Sequence, residues 1–463
     1  MGFRVQIGSM RALRTGILSL ALIPLSLLAQ GDSIIALPNG RWFDGQSFEL
    51  RTAYSVDGRL TFRKPARVDR TIDLTGSWVV PPFGEAHNHN ITGWAHDAVE
   101  ERHRKVISKY VADGVFYVKI QGSFPLTDAL RRRLPINRPG TPDVAFAQTF
   151  LTATGGHPIA LHEQFLLPGG YYPGLAKAAL VDQVYFTIDS EADLETKWPR
   201  ILALRPDFIK TNLWFSEEFA QRKNDPAYFG RKALDPALLP RIVRKAHASS
   251  LKVSAHVVSG ADFHNALAAG VDEIVHVPAA QAVHEVEERI YQLASGSLDA
   301  PAMHEIAAAL KRFNPADLSS LPLRAEDARL AARRGTVVIT TFALAATARA
   351  RPEFQSAWRA IEVATLRLLN DHNVVLAVGS DNPADSSVLE ASHLQSLGVL
   401  DNLTVLKMWT EATPKAIFPN RRIGYLREGY EASFLALEGS PLENWQNVRR
   451  IKLRFKQGVE MHP

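Results

Sequence analysis

The sequence predicts an α/β protein, a (β/α)8 TIM barrel accompanied by a small β-sandwich domain that the two chain ends build together. Three observations lead there. Eight short apolar segments recur through the centre, with helical periodicity in several of the gaps. Segments of strand character stand at both ends, outside that alternation. Polar side chains able to bind metal sit where central apolar segments end, which is the end of a barrel that carries chemistry. A length of 463 residues suits one large domain and a smaller one, and 46% apolar residues exclude a coiled coil, a collagen-like fibre and a disordered acidic tail.

Residues 1–30 read as an export signal. Arg4, Arg11 and Arg14 form a positive start, and Gly16 to Ala29 form an apolar stretch broken by Ser19, Pro24 and Ser26. The stretch is short against the roughly 20 residues a membrane span needs. The expectation is cleavage near Ala29–Gln30, a periplasmic or secreted protein and no stable membrane anchor. Three of the five net positive charges lie in this segment, leaving +2 for the rest and no electrostatic case for a nucleic-acid partner. The chain has no cysteine, so disulfides, zinc thiolates and a cysteine nucleophile are excluded. A transition metal must then be held by histidine, carboxylate or modified lysine.

Residues 31–80 and 419–463 are assigned to the small β-sandwich. Ser33–Leu37 and Thr71–Leu74 have strand character. Ala53–Val56 and Leu60–Phe62 flank Asp57-Gly58, a hairpin signal. Ser433–Leu437 and Val448–Phe455 supply the partners from the far end. Residues 81–418 are assigned to the barrel, with candidate strands Trp78–Pro81, Val115–Ile120, Asp143–Thr149, Asp207–Thr211, Lys252–His256, Glu273–Val277, Thr336–Thr341 and Val374–Val378. Between them, Leu238, Leu239, Ile242, Val243 and Ala246 share one helix face behind the Asp235-Pro236 start, and Ile361, Thr365, Leu368 and Leu369 repeat the pattern. The stretch 279–335 is too long for a plain βα unit and reads as an insertion. A doubly wound sheet is the structural alternative, but no glycine-rich dinucleotide fingerprint follows any strand.

The chemistry gathers at the strand ends. The first strand runs into GEAHNHN, where His87 and His89 are two residues apart and point to the same side of an extended chain. His256 ends LKVSAH, His276 lies in DEIVH, and Asp381 follows LAVGS. Each of these alone reads more simply as a satisfied core histidine or a capping aspartate. Lys210, in DFIKTN, is costly to bury as an ammonium, so it either snorkels or loses its charge chemically.

Together these residues resemble the amidohydrolase superfamily, in particular its binuclear members with a carboxylated lysine, of the imidazolonepropionase and prolidase-like kind. The resemblance rests on PPFGEAHNHN, IK, the histidines of the fifth and sixth strands, GSDNP, and the C-terminal RIGYLREGYEASFLAL. The chain departs from the family in having Ala432-Ser433 after Glu431, where an aspartate is usual; that touches the small domain and not the site.

The resemblance implies two divalent ions, with His87, His89 and Asp381 on the more buried, His256 and His276 on the more exposed, and carboxylated Lys210 bridging both. A nitrogen and oxygen donor set suits zinc without excluding manganese or cobalt. It further implies a metal-bridging hydroxide, with Asp381 as the catalytic residue passing a proton to the leaving amine. The implied activity is hydrolysis of an amide C–N bond in a small peptide or N-acyl amino acid. An esterase, lactonase or cyclic-amide hydrolase using the same centre is the alternative, and a barrel that binds without turnover is the reading from another class. Single-metal deaminases carry a glutamate by the fifth-strand histidine, and SAHVVSG has none.

His157, in TATGGHP, resembles the TGGH histidine that lies beside substrate in amidohydrolases acting on dipeptides and N-acyl amino acids. Tyr171 and Tyr172 in PGGYYPG, Asn90 after the histidine pair and Trp214 after the lysine strand complete the candidate substrate contacts. The expected partner is a small-molecule substrate, and the sequence leaves open whether the chain forms a homo-oligomer.

Overall fold

The computed structural model describes residues 34–463 apart from 94–95, 290–291, 293–297, 315–316 and 346–350; the export signal read in residues 1–30 lies outside the described residues. The chain begins with β1 (Ile35–Phe43), β2 (Phe48–Val56), β3 (Arg59–Thr61), β4 (Arg70–Thr71) and β5 (Trp78–Val80). The turn between β2 and β3 is the Asp57-Gly58 hairpin read from sequence. Both residues have positive φ, 51° and 70°, as the tight turn that matches strand twist requires.

The segment Trp78–Pro81, read as the first barrel strand, lies elsewhere. As β5 it pairs parallel with β1 in the terminal sheet. Pro81 and Pro82 lack the N–H groups that would continue the ladder. The barrel then starts at β6 (Phe83–Asn88), which pairs in parallel with β7 (Val115–Ile120), followed by β8 (Asp143–Phe146).

The third barrel strand, read as one segment Asp143–Thr149, is split in two. β8 stops at Phe146, Gln148 takes a left-handed φ of 68°, and the chain resumes as β9 (Phe150–Thr152), flanked by β10 (Tyr185–Thr187). The parallel run continues through β11 (Ile209–Asn212), β12 (Val253–His256), β13 (Glu273–Val275), β14 (Val337–Thr340) and β15 (Leu376–Val378). No regular ladder joins β15 to β6 among the described residues; the Asp381 N–H donates to the His87 carbonyl at 2.8 Å across that seam. The result is a distorted (β/α)8 barrel.

The chain end returns as β16 (Phe434–Leu437), β17 (Ile451–Lys456) and β18 (Val459–Glu460). β16 pairs antiparallel with β5, so both ends share one eight-stranded sheet. That sheet folds over on itself: the Leu60 N–H reaches the Tyr430 carbonyl and the Ala432 N–H the Gly58 carbonyl, each at 2.8 Å. Fully buried Trp42 sits in the fold, edge-on to Phe62 and Phe434 with ring centroids 6.2 and 5.2 Å away.

Helix Leu239–Ala248 buries Leu239, Ile242, Val243 and Ala246, and the Asp235 carboxylate caps the turn before it by accepting from the Ala237 N–H. Within 279–335, Ala325–Arg334 is the ordinary helix leading into β14. The extra material therefore precedes it, including helix Ala300–Leu310, which packs on helix Pro352–Asp371.

The barrel interior holds an ion pair between Lys119 on β7 and Glu273 on β13, both buried. Truncating one partner strands the other charge. Lys119→Met is expected to cost about 3–5 kcal/mol in chemical denaturation, and Lys119→Met with Glu273→Leu should recover most of it.

Candidate metal centre

The predicted metal-ligating residues all line one cavity at the barrel mouth: His87 and His89 come from the end of β6, His256, His276 and Asp381 from the ends of β12, β13 and β15, and Lys210 from within β11. His87 Nε2 is 3.1 Å from His89 Nε2 and 3.3 Å from Asp381 Oδ1, and His89 Nε2 is 3.5 Å from the same oxygen. Ligands at about 2.0–2.1 Å from a tetrahedral ion stand roughly 3.3 Å apart, so these three atoms have the spacing of one coordination face. His276 Nε2 lies 3.8 Å from Asp381 Oδ2. Ligand atoms of His87, His276 and Asp381 all fall within 4.8 Å of one another.

Backbone geometry places these groups. His276 and Asp381 have left-handed φ values of 72° and 48°, which turn the chain sharply as each strand ends and are sparsely populated by residues other than glycine. Gly379 lets this turn press against the first strand, since a Cβ there would meet the His87 Cβ at 2.6 Å. Glu85, fully buried, ties the seam: it accepts from the Ser380 N–H (2.9 Å), the Ser380 hydroxyl (2.6 Å) and the His87 N–H (3.1 Å). Burial pushes its carboxyl up to about 8.

The imidazoles are oriented from behind. His89 Nδ1 donates to the Gly122 carbonyl at 2.7 Å, and His276 Nδ1 pairs with the Thr341 hydroxyl at 2.6 Å, leaving each Nε2 toward the centre. Burial, assisted by the neighbouring cationic and imidazole groups, holds His87, His256 and His276 well below the ordinary imidazolium range, which favours the neutral form a metal needs. His256 Nε2 is buried without a hydrogen-bond partner, as is Lys210 Nζ. Burial takes the Lys210 ammonium down to about 7. Two orphaned buried nitrogens beside this three-atom group fit a metal site better than an ordinary polar core.

The centre opens into a cavity of about 520 Å³ lined by all the candidate substrate contacts, namely Asn90, His157, Tyr171, Tyr172 and Trp214. They do not stand alike. Trp214, His157 and His256 form a stacked wall, with centroids 4.4 Å apart for Trp214–His157 and 4.7 Å for His157–His256. The Trp214 indole donates to Glu287 at 2.6 Å, so the insertion contributes to the site. Asn90 accepts from the Tyr110 hydroxyl at 2.9 Å. Tyr171 lies under the Arg102 guanidinium at 4.5 Å, and Tyr172 is nearly buried, its hydroxyl 3.0 Å from His162 Nδ1. Glu85, His162 and Glu287 carried no signal in the sequence: one sits in the largely polar strand β6, and the other two sit in helical stretches whose aim depends on tertiary packing.

No family model and no curated protein matches this chain. Solved structures do. A prolidase complexed with N-methylphosphonate-L-proline aligns over 93% of this chain and 99% of its own at 18% identity and a TM-score of 0.64. A Xaa-Pro dipeptidase with methionine bound in its active site aligns over 93% and 100% at 17% identity and a TM-score of 0.63. The ochratoxinase of A. niger aligns over 92% and 95% at 16% identity and a TM-score of 0.63. The chain shares the fold of these structures, with a cluster of side chains able to ligate a metal at the barrel mouth.

Proposed function

We propose that this protein is a metal-dependent hydrolase of the amide C–N bond in small peptides or N-acyl amino acids. The observation that carries the reading is the His87–His89–Asp381 face, with edges of 3.1, 3.3 and 3.5 Å, beside a buried Lys210 amine that no group satisfies. His87, His89 and Asp381 would hold one divalent ion and His256 and His276 a second, with Lys210 bridging as its carbamate; we assign zinc from the donor set. Such ions supply hydroxide at neutral pH and polarise a scissile carbonyl.

The chain's own groups do the rest. A neutral Lys210 amine can attack carbon dioxide and release a proton, which turns an unwanted buried cation into a two-oxygen anion. Asp381 can take a proton at its carboxylate and return it to the departing nitrogen. The Trp214–His157–His256 wall forms one side of the cavity, and His157 would stand beside the scissile group. Two of the similar structures are named a prolidase and a Xaa-Pro dipeptidase, which supports a peptide-like substrate.

Product mass spectrometry with matched amides, esters and lactones tests this. Cleavage of dipeptides or N-acyl amino acids, lost on chelation and restored by zinc, is expected; cleavage confined to esters or lactones would overturn the C–N assignment. Export belongs to the same proposal. Amino-terminal sequencing of protein recovered outside the cytoplasm is expected to begin near Gln30, and retention of residues 1–30 would count against it. No helix among the described residues is long and apolar enough to cross a membrane.

A further inference from the structure

The cavity lining includes a buried histidine, His162, that the mechanism above does not use. The segment between β9 and β10 packs Ile159, Tyr172 and Leu180 against Phe124, Phe150 and Tyr185 in an apolar cluster, and its His162 lines the cavity. His162 lies in a wide helical turn, Leu161–Leu166, of the kind that recurs where a helix must re-aim a side chain. Its ring packs on Phe150 at 5.4 Å, and Phe150 packs on the metal-site residue His89 at 5.5 Å, so His162 stands one ring beyond the centre.

The hydrogen bonding gives His162 a direction. Its Nδ1 is 3.0 Å from the Tyr172 hydroxyl, and that hydroxyl has no other hydrogen-bond partner among the described residues. Donation from Tyr172 to Nδ1 uses the phenol proton, which would otherwise be buried unpaired. The remaining proton of the neutral ring is then on Nε2, in a side chain that lines the cavity. Burial holds the imidazolium down to about 3, so the ring is a neutral donor at ordinary pH. Arg102, over the neighbouring Tyr171, is a second donor on this wall.

We infer that His162 is a specificity-determining residue whose Nε2–H binds a free carboxylate of the substrate's amino-acid portion, with Tyr172 a positioning residue that sets its tautomer. This rests on the hydrolase reading only for the choice of ligand. It also reassigns Tyr172, expected from the sequence to contact substrate, as a residue that acts through His162.

Calorimetry on the whole metal-loaded protein tests it with inert probes, N-methanesulfonyl amino acids and their carboxamides, so that binding is read without turnover. His162→Phe keeps the ring packing and removes the donor. It is expected to weaken the acids about tenfold or more, and the carboxamides by less than about threefold. Tyr172→Phe should shift the acid-to-carboxamide ratio in the same direction by a smaller factor, and His162→Gln should restore part of it. Equal effects on both probe types, no effect, or no binding of the acids by the wild-type protein would overturn the inference. Binding that follows the expected pattern in a protein that cleaves no amide would instead count against the hydrolase reading and leave the His162 contact standing.

Discussion

Lys210→Ala is expected to lower turnover by about 10³-fold or more, beyond what one oxyanion donor is worth, while leaving the fold in place. The amine is buried in the barrel with no hydrogen-bond partner, so its removal breaks no such bond. What it removes, in the proposed centre, is the amine that would become the carbamate between the two histidine groups. Burial brings the ammonium down to about 7, so near neutrality a substantial share is the free amine, the form that reacts with carbon dioxide. Two readouts separate this role from a structural one. Wild-type protein equilibrated with ¹³C-bicarbonate should show a carbamate signal that Lys210→Ala lacks, and the metal-free forms of both should melt alike. Full activity in Lys210→Ala would remove the lysine from the centre.

Asp381→Asn is the second large effect, a fall in kcat of about 10²–10⁴-fold. The substitution is nearly isosteric, and asparagine tolerates the left-handed φ of 48° found there, so the strand-end turn survives. The carboxylate charge does not. Its Oδ1 lies 3.3 and 3.5 Å from His87 and His89 and its Oδ2 3.8 Å from His276, so the loss falls on the centre of the cluster. Steady-state kinetics with KM little changed would place the loss on proton transfer and charge. Wild-type kcat would refute the assigned role.

The barrel was legible from strands whose apolar runs are buried on both faces, such as Val115–Ile120, which appears with those bounds. It was least legible where function overrides composition. The first barrel strand, Phe83–Asn88, consists largely of Gly, Glu, His and Asn, and reads as a loop; the apolar Trp78–Val80 beside it belongs to the other sheet. The strand-end residues His87, His89, His256, His276, Lys210 and Asp381 could be singled out because polar groups at the ends of apolar segments are rare in a plain core. Glu85 could not, since its partners Ser380 and His87 become neighbours only when the barrel closes. Glu287 and His162 were hidden for a related reason. Each stands in a helical stretch of ordinary amphipathic composition, and only the packing of the insertion on Trp214, or of the β9–β10 segment on Phe150, turns it toward the cavity.

The central claim is a centre of two metal ions bridged by Lys210, and the most direct measurement is elemental analysis by plasma mass spectrometry of purified, zinc-equilibrated protein. Two zinc ions per chain are expected in the wild type, falling to one or fewer in Lys210→Ala. A wild-type protein that retains one ion or none would contradict it.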